Sequence, residues 1–182
     1  MLMITAFLLL GFAVALPIFI VTESGAMEAL TITLGVSLYH FAMRLAVGYS
    51  VNAVMKNQAD YRKPWFREKG FEKKLYKLLR VRSWGGRLPT YSPHTFNTSK
   101  KNVKEIAEAT CQAEIVHEII MALSLLPIAF IPLLGGAAAL IVTSVLAMLF
   151  DALFVILQRY NRPKLLRVMN RFQKLNGIQT ER

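Results

Sequence analysis

Four blocks of this sequence are too long and too nearly free of charge to form the core of a water-soluble domain. Leu2–Val21 carries no charged residue, and the strongly polar residues of Leu30–Met55 are His40, Arg44 and Asn52. Ile115–Leu126 has only His117 and Glu118 as titratable groups and continues through Pro127 to Pro132, while Ala137–Leu157 holds a single acid, Asp151. A helix of about 20 apolar residues spans the roughly 30 Å hydrocarbon layer of a bilayer. Backbone groups inside that layer must bond to one another, which makes each block a helix. The expected fold is an all-α integral membrane protein, a single membrane domain over 1–182 with about four transmembrane helices, near 2–21, 30–55, 113–132 and 137–157. Pro127 and Pro132 break the regularity of the third. The first block lacks a basic leader and a small-residue cleavage site, so it reads as a retained helix.

Orientation follows from the basic residues. Of 22 Lys and Arg, fourteen lie between Lys56 and Lys104, seven lie from Arg159 onward, and Arg44 stands alone. The short connections Thr22–Ala29 and Ile131–Gly136 have none. By the positive-inside rule, the central connection and both termini are cytoplasmic, which requires an even number of crossings. The +11 net charge is then explained by an anionic lipid surface, worth about 1 kcal/mol per basic residue near it. No soluble recognition module accompanies that charge, so nucleic acid is not an expected partner. One cysteine, Cys111, allows no internal disulfide.

The segment 56–104 is the one sizeable non-membrane part. Phe66, Phe71, Leu75, Leu78 and Leu79 fall near one helical face and Lys69, Lys73, Lys74 and Lys77 on another. That pattern describes a basic amphipathic helix lying on the cytoplasmic leaflet, with Gly70 as a point of division. Trp84–Pro89 then reads as a turn and Tyr91–Lys101 as a loop. Ser99 or Asn102 would cap the helix that leads into the third span. Beyond the fourth span, 159–182 reads as a basic cytoplasmic tail, entered through Gln158-Arg159-Tyr160-Asn161-Arg162-Pro163. That run is denser in ordered polar groups than a membrane exit requires, and Pro163 is positioned to end the helix.

Ionisable groups within spans cost about 2.5–3.5 kcal/mol on insertion scales and therefore face the bundle interior. Here they are His40 and Arg44, four apart on one face; Glu114, His117 and Glu118 at the start of the third span; and Asp151 on the fourth. Structurally, Arg44 can pair with Asp151. Chemically, Glu114 and His117 can act as a general base and its orienting partner. Di-metal bundles also use Glu-x-x-His but need paired copies, and one copy is present, so no metal site is expected. Arg80, Arg82 and Arg87 around Trp84 suit an anionic substrate group or a lipid headgroup. Serine-triad, phosphate-loop and dinucleotide patterns are lacking, and no cofactor is expected.

Three ordered pieces resemble the glycosyl-4,4'-diaponeurosporenoate acyltransferases. They are Phe71-Glu72-Lys73 with Lys77, Val81-Arg82 and Trp84; Ala113-Glu114-Ile115-Val116-His117 leading to Leu125-Leu126-Pro127; and Gln158 to Pro163. Together they cover about Lys69 to Lys174. The resemblance implies a bacterial, multi-pass cell-membrane enzyme that esterifies a fatty acyl group onto a sugar hydroxyl of a glycosylated carotenoid or related glycolipid. It implies a membrane lipid or glycolipid acceptor and an acyl-CoA or acyl carrier protein donor. His117 would be the base oriented by Glu114. Arg159, Asn161 and Arg162, with Tyr160, would bind substrate, and Arg82 and Trp84 would shape the entrance. His40, Arg44, Glu118 and Asp151 would support the site from within the membrane. Two other classes fit the residues alone: a non-catalytic membrane or lipid-organising partner, and a small membrane lipid methyltransferase or reductase.

Overall fold

The computed structural model describes residues 1–85 and 103–180, with side chains through Arg171. Among the described residues the regular structure is helical, without β-strands. The helices are α1 (Leu2–Thr22), α2 (Gly25–Met55), α3 (Glu72–Leu78), α4 (Val81–Trp84), α5 (Val103–Ser124), α6 (Ile131–Leu134) and α7 (Ala137–Thr180). Four stretches are long and apolar enough to cross a membrane: Leu2–Thr22, Gly25–Met55, Val103–Leu134 and Ala137–Arg171. Large apolar side chains stand exposed along them, including Met3, Phe7, Val21 and Leu146. Water would not tolerate an exposed apolar surface of that extent, whereas lipid would. The chain is a multi-pass membrane protein.

The helices overrun the boundaries read from the apolar pattern. The helix of the third span begins at Val103, before its apolar part, and ends at Ser124. Pro127 then starts the 3-10 turn Leu126–Phe130, and Pro132 stands in the first turn of α6. Proline lacks an N–H and fits the start of a helix better than its interior. At the other end, α7 does not stop at Pro163 but carries it as an interior residue. An interior proline costs about 3 kcal/mol and leaves the carbonyl four residues earlier without its usual donor. The two arginines in the turn before that proline are locked onto other segments, as described below.

No long amphipathic helix occupies the described part of 56–104. In its place stand a 3-10 turn at Pro64–Phe66, the seven-residue α3 and the four-residue α4. Arg80, in the left-handed region at φ 49°, separates α3 from α4. The buried residues of this stretch are Phe66, Glu72, Tyr76 and Val81, while Phe71 and Leu78 are exposed. Of the expected apolar face, Phe66 is buried, while Phe71, Leu78 and Leu79 are exposed. The expected turn beyond Gly85, the loop at Tyr91–Lys101 and the caps at Ser99 or Asn102 lie outside the described residues, as does Arg87.

The chain divides into two compact units. The first comprises Met1–Ser50 and Glu118–Ala152. In it, the Tyr39 hydroxyl donates to the Leu123 carbonyl at 2.8 Å. Arg44 forms a buried ion pair with Asp151 and also donates to the Ala147 carbonyl at 3.4 Å. His40 is buried beside the Tyr39 ring, and both its nitrogens lack a hydrogen-bond partner among the described residues. Gly136, at φ 59°, closes the turn into α7 where an added Cβ would come within 2.9 Å of Ile32.

The second unit comprises Val51–His117 and Leu153–Arg182. Its centre is the first half of α5, where Ile106, Ala107, Ala109, Thr110, Cys111, Gln112 and Glu114 are all buried. Burial around the whole circumference marks a helix enclosed by its neighbours. The Gln112 carboxamide fixes the end of α2: its Oε1 accepts from the Asn57 backbone N–H at 2.6 Å and its Nε2 donates to Asn52 at 3.2 Å. Ala59, Phe66 and Cys111 form an apolar cluster beside it.

Truncating one member of a buried ion pair strands the other, at a cost of about 3–5 kcal/mol, whereas an apolar pair of similar volume is often neutral. Asp151→Ala is therefore expected to destabilise the detergent-solubilised protein by that amount, and Arg44→Met with Asp151→Leu to recover most of it. Chemical unfolding followed by circular dichroism reads both; an unchanged midpoint for Asp151→Ala would remove this pair as a structural element.

Candidate functional site

Helical spacing prepares the centre of the second unit. Arg159 and Arg162 are three apart on α7, Thr110 and Glu114 four apart on α5, and Glu72 and Tyr76 four apart on α3. Each pair therefore projects from one face of its helix. The structure brings all six side chains together with the turn at Pro64–Phe66.

Glu114, with no exposed surface, lies between the two guanidiniums. Its Oε1 accepts from Arg159 and its Oε2 from Arg162. Arg159 also donates from Nε to Glu72 Oε1 at 2.8 Å and from its terminal nitrogens to the Trp65 and Arg67 carbonyls, each at 3.1 Å. Arg162 donates to the Thr110 hydroxyl at 3.3 Å, the Thr110 carbonyl at 3.2 Å and the Phe66 carbonyl at 3.1 Å. Its guanidinium also lies over the Phe66 ring at 5.0 Å. The second oxygen of Glu72 accepts from the Tyr76 hydroxyl at 2.9 Å.

Two carboxylates thus balance two guanidiniums, and every nitrogen of both arginines has a protein acceptor. The planar five-donor fork is what allows each arginine to engage several acceptors at fixed angles, which a lysine ammonium does not reproduce. The network also supplies donors to the Trp65, Phe66 and Arg67 carbonyls of that turn. Burial, reinforced by the hydrogen bond to Glu72, pushes the Tyr76 hydroxyl well above its ordinary value of 10.0.

The remaining expected site residues fall around this centre. His117, one turn beyond Glu114 on α5, is half-buried, and its ring stacks on Phe154 with centroids 4.6 Å apart and planes inclined by 10°. Tyr160 meets the Tyr76 ring edge-on at 5.3 Å, and the Lys164 ammonium lies over the Tyr160 ring, 3.4 Å from its centre. Asn161 is half-buried and is not part of the charged network. Trp84 donates its indole N–H to the Leu79 carbonyl at 2.7 Å, a bond within its own segment. Arg82 is exposed and forms no ion pair with another described residue. Next to Trp84, Gly85 approaches α7 so closely that an added Cβ would lie 2.8 Å from Leu157.

His40, Arg44, Glu118 and Asp151 belong to the first unit and are not members of this cluster. Sequence reading did not assign Glu72, Tyr76 or Thr110 to the site. For the first two a signal existed, since Glu72 stands within the ordered motif Phe71-Glu72-Lys73 and Tyr76 follows it by four residues. Thr110 gives no such signal, because its role depends on which face of α5 turns toward Arg162.

The family model for glycosyl-4,4'-diaponeurosporenoate acyltransferase matches residues 62–171, more than half of the chain. All six residues of the network, with His117, Tyr160 and Asn161, lie within the match. No curated protein matches the chain, and no solved structure does.

The raised Tyr76 hydroxyl gives a pH test. The unfolded chain loses this proton near pH 10 while the folded chain holds it, so folded stability is fully present below that value. It declines as pH rises above about 10, where ionisation favours the unfolded chain. Wild-type protein should lose stability more steeply than Tyr76→Phe between pH 9.5 and 11, measured by chemical unfolding in detergent. Parallel curves for the two proteins would show that the hydroxyl is not held as described.

Proposed function

The chain belongs to the glycosyl-4,4'-diaponeurosporenoate acyltransferase family, and on that premise we propose that it is a membrane-bound enzyme joining a fatty acyl group to a hydroxyl of a glycosylated carotenoid or related isoprenoid glycolipid. The observation that carries this reading is the coincidence of the family match with the buried network and the imidazole one turn away from it. A lipid-organising protein would need basic residues at the membrane surface. The match to an acyltransferase family and a half-buried histidine next to the network favour the catalytic reading over that one.

In the proposed reaction the donor is an acyl thioester of coenzyme A or acyl carrier protein. His117 accepts the proton of the acceptor hydroxyl as its oxygen attacks the thioester carbonyl. The tetrahedral intermediate collapses with the new C–O bond retained and the C–S bond broken. The proton on His117 passes to the departing thiolate, so the imidazole ends neutral. Asn161 supplies a donor to the developing oxyanion, and Tyr160 borders the bound substrate. Arg82, with its exposed guanidinium, receives an anionic group of the donor near Trp84.

Arg159 and Arg162 take a different part in this scheme from direct substrate binding. Their nitrogens already hold protein acceptors, so they act as positioning residues that fix the turn of α7 bearing Tyr160 and Asn161. Glu114 acts through them. The distribution of basic residues supports a cytoplasmic site for the reaction, with both termini on that side, and the family supports a bacterial cell membrane.

Purified protein supplied with an acyl thioester and a glycosylated isoprenoid should form the ester. His117→Ala should lower kcat by about 10²–10⁴-fold, the usual contribution of a general base, with its unfolding midpoint unchanged. Full activity in a folded His117→Ala protein would refute the assignment.

A further inference from the structure

The first unit contains a cavity of about 540 Å³ that the reaction scheme does not use. Its walls come from α1, α2, the turn at Leu126–Phe130, α6 and the start of α7. That volume lies in the range of about 300–1,000 Å³ occupied by small-molecule sites, which combine apolar walls with a few placed polar groups. Apart from Glu28, Thr31 and Tyr39 the lining is apolar, and no Lys or Arg contributes to it.

The polar groups are not equivalent. Tyr39 is engaged, since its hydroxyl donates to the Leu123 carbonyl. Thr31 is 5% exposed, and its Oγ1 has no hydrogen-bond partner among the described residues. The Ser124 and Ser144 hydroxyls of this unit share that state but do not line the cavity, and among the threonines Thr31 stands apart. Thr5, Thr22, Thr33 and Thr143 each donate to the carbonyl four residues earlier, and Thr110 to the one three residues earlier. These five are all the other threonines whose side chains are described. A buried hydroxyl left unpaired costs about 1–3 kcal/mol, and Thr31 forgoes the bond that its helix offers the others. Glu28 is exposed at the α6–α7 turn, where a Cβ on Gly135 would stand 3.9 Å from its carboxylate. A lone carboxylate without a basic partner repels phosphate and carboxylate headgroups and accepts hydrogen bonds from hydroxyls.

We propose that this cavity is a binding site for one neutral lipid, an apolar chain ending in a hydroxyl group. The chain fills the apolar walls, Thr31 forms its missing hydrogen bond with the polar end, and Glu28 excludes anionic lipids. The proposal does not depend on the acyl-transfer reading, because it rests on the first unit alone.

The probe is all-trans-retinol, an apolar polyene alcohol, compared with all-trans-retinoic acid, which has the same chain and ends in a carboxylate. Native mass spectrometry of the full-length protein released from detergent micelles counts the adducts directly. One retinol per chain is expected, with retinoic acid bound at least tenfold more weakly. Thr31→Val should weaken retinol at least fivefold and Leu16→Trp, which fills the cavity, at least tenfold. Glu28→Gln should bring retinoic acid to within threefold of retinol. Failure of retinol to bind, binding undiminished in Leu16→Trp, or equal binding of acid and alcohol by the wild-type protein would each overturn the proposal. The circular dichroism of each variant establishes that it is folded, and since no turnover is measured, a negative result leaves the acyltransfer reading standing.

Discussion

A carboxylate enclosed between two guanidiniums is the constraint on which the second unit turns. Glu114 cannot be buried as an ion without compensation, and two arginines cannot be enclosed without acceptors. The chain meets both conditions by bringing α3, α5, α7 and the Trp65–Arg67 carbonyls to one place. Each participant is specified by another: Glu72 shares Arg159 with Glu114, Thr110 shares Arg162 with it, and Tyr76 occupies the remaining oxygen of Glu72. Removing any one of the four charges leaves the interior with one charge uncompensated. The arrangement also accounts for Pro163 within α7. A proline break is tolerated where the turn preceding it is held from outside by Arg159 and Arg162.

Interior charge recurs in the first unit in a simpler form, as the single pair of Arg44 and Asp151. That pair joins α2 to α7 inside a candidate span, where an unpaired ion would be costly. The two units thus solve one problem at different scales. The larger network carries Tyr160 and Asn161 on the same turns of α7 as its arginines, so packing there also fixes the backbone that bears those two side chains. The histidines differ as well. His117 stacks on Phe154, whereas His40 is buried in the first unit with both nitrogens lacking a hydrogen-bond partner.

Much of the membrane architecture is legible in the sequence, because about twenty consecutive apolar residues leave few alternatives to a spanning helix. The pairing of Arg44 with Asp151 could also be read, since few charges lie within the spans. The connection between α2 and α5 could not. Its lysines and scattered apolar residues match an amphipathic helix, but the face that the fold buries carries Glu72 and Tyr76, and periodicity scores a glutamate as a surface residue. Arg159 and Arg162 are a second case: the ordered run around them reads as a substrate-binding wall, and the fold sets their guanidiniums against Glu72 and Glu114. Whether a guanidinium meets substrate or a buried glutamate is decided by tertiary contacts, which neither spacing nor composition records.

Under the proposed function, these interior contacts serve acyl transfer rather than membrane anchoring alone. The most direct test is lipid extraction and mass spectrometry of bacterial cells that make a glycosylated isoprenoid, with and without this protein. The account predicts a new lipid that depends on the protein, heavier than the glycolipid by one fatty acid less water, and labile to mild alkali as an ester must be. An unchanged lipid profile, with the protein folded in the membrane and both substrates present, would contradict it.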